Sequence, residues 1–268
     1  MNLTLRGGGW PFGLEKWYVD VLGPQGEVLL IYLVRARLGG VPMSRVTAEL
    51  FLPGQEPIRG QGVARGVRGG EDQLSFGPAS ILGDSLAFKT PGLSGELVWS
   101  PRAQPVALRE PFLERDGRSL TWQVEIPDAS VEASLRWPEG GMDLLGRGYR
   151  DRVWMDLPPW DFPIRELLWG RGVTTHHATT WVSARTDEGV VAARWQDGQL
   201  VEPTPPELGP PRVLLETRVA DIEGLALGWL QGPLRRISGD PHEVKWAASV
   251  RLGEEEGVAI HERVVWGS

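Results

Sequence analysis

A chain of 268 residues is long enough for one large β domain or two small ones, each burying its own core. A net charge of −7 argues against a nucleic-acid binder, and the complete lack of cysteine excludes disulfides, thiolate zinc sites and cysteine nucleophiles. The outlying numbers are 35 glycines, 22 prolines and 13 tryptophans, set against three tyrosines and six phenylalanines.

In chain order, the N-terminus lacks the basic stretch and apolar core of a signal peptide. Glu15, Trp17, Val19 and Val21 share one face of a first strand. Residues 28–34 form the longest apolar run, far short of the roughly 20 residues of a membrane span. A cysteine-free chain of this kind is expected in the cytoplasm, with peripheral membrane contact left open. Val46, Ala48, Leu50 and Leu52 alternate with Thr47, Glu49 and Phe51, and Trp122, Val124 and Ile126 alternate with Thr121, Gln123 and Glu125. Period two predicts strands with one buried face. Pro138-Glu139-Gly140-Gly141 reads as a domain seam, with Pro127-Asp128 as the alternative. Residues 164–169 are the nearest approach to a helix, too short and placed directly after Pro163. Residues 202–211 are proline-rich and predict a surface loop. Trp246, Ala248, Val250 and Leu252 then alternate with Lys245, Ala247, Ser249 and Arg251, and Val258, Ile260, Glu262, Val264 and Trp266 with Ala259, His261, Arg263 and Val265.

About 20 short strands separated by Gly and Pro turns are too many for one small barrel. The expected fold is therefore all-β, two consecutive antiparallel units at residues 1–138 and 139–268, with under about 10% helix.

Three strings concentrate chemistry. In residues 148–155, Tyr149, Asp151, Val153 and Met155 share one strand face and Arg150, Arg152 and Trp154 the other, so each face mixes charge with large apolar groups. The bland alternative is an Asp151 ion pair beside a core Trp154. Further on, His177, Thr179, Trp181 and Ser183 share a face, where a neutral imidazole could act as acid or base near pH 7. Adjacent His176 and His177 point to opposite faces of a strand and cannot chelate one metal together. Glu262 is the lone carboxylate on an apolar face and is expected to pair with a buried arginine or to serve as a proton donor. No phosphate-cradling loop, nucleophile elbow or metal motif occurs, so no cofactor or metal is expected.

The string Gly146-x-Gly148-Tyr149-x-Asp151-x-x-Trp154, followed by Trp169-Gly170-Arg171, resembles the signature of the lipocalin-like carotenoid 1,2-hydratase superfamily. That superfamily includes hydroxyneurosporene synthases and AttH-like proteins, and more distantly fungal pericyclases. Glu15-Lys16-Trp17-Tyr18 is similar to its N-terminal strand, and residues 259–266 are similar to its closing strand. The resemblance implies two lipocalin-like β units with a hydrophobic cavity. It also implies an activity that adds water to a terminal isoprenoid alkene, by an acid, an aromatic shield for the cation and a placed water. Arg152 stands where the family has a histidine, and the family's downstream Tyr-x-Asp pair falls on Trp181 and Ser183.

The resemblance implies an enzyme acting on a hydrophobic isoprenoid or polyene. His177, Asp151 or Glu262 would supply the proton, and Tyr149, Trp154, Trp169, Arg171, Trp181 and Trp17 would line the pocket. The alternatives are a pericyclase-like isomerase in which shape and Arg152 do the work, and a non-catalytic lipid or isoprenoid carrier. Asp151, facing away from Arg152 and Trp154, is expected to orient an arginine such as Arg171.

Overall fold

A computed structural model describes residues 11–218 and 241–266, and the chain divides into two units, Met1–Asp156 and Leu157–Ser268. The first holds β1 (Phe12–Leu22), β2 (Val28–Leu38), β3 (Val41–Phe51), β4 (Ile58–Val63), β5 (Arg68–Gly69), β6 (Gln73–Ser75), β7 (Ala79–Leu82), β8 (Ser85–Thr90), β9 (Leu93–Pro101), β10 (Val106–Arg115), β11 (Arg118–Trp137) and β12 (Gly140–Met155). The second holds β13 (Ile164–Val173), β14 (Ala178–Thr186), β15 (Gly189–Gln196), β16 (Gln199–Val201), β17 (Glu207–Leu208), β18 (Arg212–Arg218), β19 (His242–Leu252) and β20 (Glu255–Val265). The single helical turn among the described residues is Pro159–Asp161. None of the described helices is long and apolar enough to cross a membrane.

The first sheet runs β4-β3-β2-β1-β12-β11-β9-β8-β7-β6-β5, with β10 pairing β11. One face packs Trp17, Val19, Ile31, Val46, Phe88 and Trp99 into a continuous core. The sheet curls back on itself where β4 meets the turn between β8 and β9. A Cβ on Gly60 would lie 2.2 Å from Thr90 Oγ1 and 2.9 Å from Pro91 O, so only glycine lets the backbones approach this closely.

The first unit ends later than the sequence implies. Pro138-Glu139 is the tight turn of the β11–β12 hairpin, closed by Trp137 opposite Gly140, and not a domain seam. β12 is required by the first sheet because it joins β1 to β11, so the boundary falls at 156/157. Pro127-Asp128 is likewise no boundary. It sits within continuous β11 at a register shift between Ile126 and Ala129. There Asp128 takes two hydrogen bonds from Arg147, at 2.8 and 2.6 Å. A bulge can look like a break in sequence because both interrupt alternation.

The second sheet runs β16-β15-β14-β13-β20-β19-β17, with β18 pairing β19. Its small core gathers Trp181, Val250, Leu252 and Ala259. The indole of Trp181 occupies the space over Gly170, where a Cβ would meet its ring at 2.2 Å. That contact accounts for the glycine inside Trp169-Gly170-Arg171. Among the described residues, two curled antiparallel sheets with almost no helix form a pair of lipocalin-like β units, as the resemblance implies.

Candidate active site

β1 and the Gly148–Val153 stretch of β12 are buried on both faces, which is why neither reads as a simple half-wet strand. Antiparallel register puts Tyr18 opposite Asp151 and Asp20 opposite Tyr149 on the face away from Trp17. Tyr32 of β2 lies opposite Tyr18 on that face. The ring centroids are 5.2 Å apart for Tyr18 and Tyr32 and 6.1 Å apart for Tyr18 and Tyr149. All three tyrosines of the chain therefore share the sheet face that carries Asp151 and Asp20.

Asp151 is 1% exposed. Its Oδ2 accepts hydrogen bonds from Trp122 Nε1 at 2.9 Å and Tyr149 Oη at 3.0 Å, whereas Oδ1 accepts none from the described residues. Phe112 of β10 meets the Trp122 ring edge-on at 5.9 Å and helps hold the indole. Burial pushes the Asp151 carboxyl up to about 7. The Lys16 cation and the two hydrogen bonds oppose that rise, and Asp20 adds to it. At neutral pH the group is thus divided between acid and carboxylate, which suits a proton donor that must be reloaded. The expected arginine partner is replaced by Trp122 and Tyr149, and Arg171 lies on β13 of the second unit, fully buried.

The opposite face of β12 carries different chemistry. Arg152 Nε donates to Glu15 Oε1 at 3.0 Å, its Nη2 also donates to that oxygen, and its guanidinium lies 4.8 Å from the Trp17 ring and 5.4 Å from that of Trp154. Arg150 pairs with Glu125 at 3.0 Å and lies 5.2 Å from the Trp99 ring. Glu125 is the extra residue at a register shift between Val124 and Ile126, and the bulge re-aims it toward Arg150. Burial raises the Glu125 carboxyl and lowers the Arg150 guanidinium from their ordinary values. Tyr149 and Asp151 are thus brought together on one face, and Arg152, Trp154 and Trp17 on the other.

In the second unit, His177 lies just before β14 and not on it. Its Nδ1 is 2.7 Å from Asp197 Oδ2, with the imidazole side chain 40% exposed. His176 Nδ1 is 2.6 Å from Glu255, whose carboxyl is pulled down to about 2 by hydrogen bonds from the Thr174 hydroxyl and His176. Trp181 sits apart in the sheet's core. Glu262 meets a buried lysine, Lys245, where an arginine or a proton was expected. Lys245 Nζ is also 3.7 Å from Glu243 and 5.3 Å from the Trp169 ring. His261 stacks on Trp246 at 5.0 Å, and burial followed by the Lys245 cation lowers its imidazole below the usual value. Among the described residues no group of three or more acidic or histidine side chains converges as metal ligands would.

Sequence reasoning missed Lys16, Tyr18, Asp20, Tyr32 and Trp122 around Asp151. The scarcity of tyrosine was the available signal, since two of the three stand in the strings Glu-Lys-Trp-Tyr and Gly-Arg-Gly-Tyr.

No family model matches the sequence, and no curated protein matches it either. Solved structures do share the fold. A protein assigned as AttH from Nitrosomonas europaea superposes with a TM-score of 0.63 at 15% identity, covering 98% of this chain and 97% of that one. CghA with Sch210972 gives 0.63 at 13% identity over 100% and 95% of the two chains. Kievitone hydratase from Nectria haematococca gives 0.57 at 13% over 95% and 89%. At these identities the likeness establishes the two-unit lipocalin-like fold over nearly the whole chain.

Proposed function

We propose that this chain is an acid–base enzyme acting on a hydrophobic small molecule, a hydratase or cyclase of isoprenoid or polyene alkenes, with Asp151 as the proton donor. The observation that carries the reading is one fully buried carboxyl near pH 7, fixed through one oxygen and without a hydrogen bond from the described residues at the other. Protonated Asp151 would give its proton to an alkene carbon, leaving a carbocation at the neighbouring carbon. The electron-rich faces of Tyr18, Tyr32 and Tyr149 would shield that charge. Water then forms the new C–O bond and loses a proton to the Asp151 carboxylate, so alkene plus water becomes alcohol and the acid is restored. Capture by a second double bond followed by proton loss would give a ring by the same cycle. The fold shared with kievitone hydratase, whose name states a hydration, supports this class of reaction.

The test is incubation with farnesol, geranylgeraniol and neurosporene in deuterated water, followed by mass spectrometry. Deuterium bound to carbon in a hydrated or cyclised product, absent with Asp151→Asn, is the expected result. Undiminished turnover in Asp151→Asn would overturn the assignment of the acid. A lack of product from all three alkenes would overturn the substrate class.

A further inference from the structure

On the face of the first sheet away from Asp151, the ends of β1, β2 and β12 enclose a cleft of about 100 Å³. That is room for roughly seven to ten water-sized groups at about 10–15 Å³ each. Its lining includes Glu15, Arg35, Arg37, Trp154 and Asp156. Arg35 stands opposite Glu15 in the β1–β2 ladder and Arg37 opposite Gly13, so both guanidiniums rise from one face two residues apart. Trp154 stands opposite Glu15 on the other side, in β12.

The donors in this cleft are unevenly used. The Arg35 guanidinium has no hydrogen bond to the described residues, and its one ion pair among them is with Glu15 Oε2 at 3.6 Å, beyond hydrogen-bond reach. The Arg37 guanidinium has no ion pair or hydrogen bond among the described residues, its backbone being held in the β2 ladder. Glu15 is already matched by buried Arg152 beneath it. Asp156 accepts the backbone N–H of Ser119 at 2.7 Å through Oδ1. With Arg152 counted against Glu15, the two cleft arginines face one carboxylate, and the charge left over is positive.

We propose that this cleft is a binding site for a small flat carboxylate, whose anion is taken by Arg35 and Arg37 and whose ring lies against the Trp154 indole. A guanidinium offers paired N–H donors in the fork geometry that a carboxylate matches, and it is more weakly hydrated than an ammonium. The indole of Trp154 supplies an apolar surface in the same lining. Glu15 and Asp156 set the other limit, because a neutral or cationic head group would forfeit the two arginines. The site is separate from the acid–base reading of Asp151 and does not depend on it.

Benzoate is a probe of the right size and shape, followed by calorimetry on the full chain. Saturable binding is expected, weakened about tenfold or more by Arg35→Met and by Arg37→Met, and about tenfold weaker for neutral benzamide. Cyclohexanecarboxylate should bind less tightly than benzoate, and Trp154→Leu should erase that preference. Because Arg35 neighbours Glu15, thermal melting of each variant checks the fold, and Arg37→Met, remote from that pair, stands as the independent variant. Absence of saturable benzoate binding, equal affinity for benzamide, or unchanged affinity in a folded Arg37→Met chain would overturn the proposal.

Discussion

The hydroxyl of Tyr149 donates a 3.0 Å hydrogen bond to Oδ2 of Asp151, two residues further along the same face of β12. The Trp122 indole N–H arrives at the same oxygen from β11. Two donors on one oxygen divide the carboxyl into a held end and an open end, and the proton is directed to Oδ1. Each donor favours the charged form, and burial favours the neutral one. Their balance near 7 is what distinguishes Asp151 from Glu125, whose charge is matched by Arg150 at 3.0 Å.

Asp151→Asn should lower turnover by about 10² or more, the usual scale for a lost general acid, while leaving the fold intact. It should also change how stability responds to pH. A carboxyl that titrates higher in the folded chain than in the unfolded one holds extra protons in the fold between about pH 4 and 7. Wild-type stability therefore falls as pH rises through that window, by roughly 4 kcal/mol from this group, and the asparagine variant lacks that component. Urea unfolding of both proteins at several pH values measures the difference directly.

Removing a group that favours the carboxylate should push Asp151 higher still. Tyr149→Phe deletes one hydrogen bond, and Lys16→Met deletes the nearby cation, each of which lowers the carboxyl at present. The alkaline limb of the rate profile should move to higher pH in both variants, because the protonated acid persists further. A limb that moved to lower pH, or stayed in place in both, would separate the kinetic pKa from Asp151.

His177 forms a clasp with Asp197 at the entry to β14, and both side chains are about two-fifths exposed. Exposed pairs of this kind contribute about 0.2–1 kcal/mol. His177→Ala is accordingly expected to reduce stability by no more than that and to leave turnover within about twofold. Loss of turnover on the scale of Asp151→Asn would return the imidazole to the reaction.

Strand content was legible because alternation at residues 46–52, 121–126 and 245–252 is a local property. What could not be read was register. Tyr18 and Asp151 are 133 positions apart in the chain and become neighbours only through the β1–β12 ladder, and Trp122 reaches Asp151 only through β11. Bulges add a second limit, since Glu125 and Pro127-Asp128 disturb parity within a strand that continues. Asp151 was singled out from its own string, yet its partners were assigned to the wrong kind of residue. The face of Arg152 and Trp154 was correctly separated from that of Asp151, because parity within one strand needs no partner.

Gly170 tests the packing behind the Trp-Gly-Arg string. A methyl group there would collide with the Trp181 ring at 2.2 Å and approach His261 Cβ at 2.9 Å. Gly170→Ala should cost about 1–3 kcal/mol by overpacking, read as a lower urea midpoint with an unchanged slope. Trp181→Leu in the same chain should recover part of that loss by vacating the space, although the indole's own packing is given up.

Glu15 and Arg152 give the last prediction. Both are almost fully buried, joined by two hydrogen bonds and bracketed by the indoles of Trp17 and Trp154. Removing one member leaves a charge stranded in the interior, so Arg152→Met or Glu15→Met alone should destabilise by about 3–5 kcal/mol. Arg35, 3.6 Å from Glu15, can partly compensate the first, and Glu125, whose carboxyl feels the Arg152 cation, can partly compensate the second. The double replacement by methionine removes both charges while keeping bulk between the rings, and it should regain most of the lost stability. That recovered protein then separates structure from chemistry. If Arg152 only braces β12 against β1, the double variant turns over substrate as the wild type does. If the guanidinium polarises a substrate carbonyl, stability returns while kcat/KM stays low, and the site extends through to this face of the sheet.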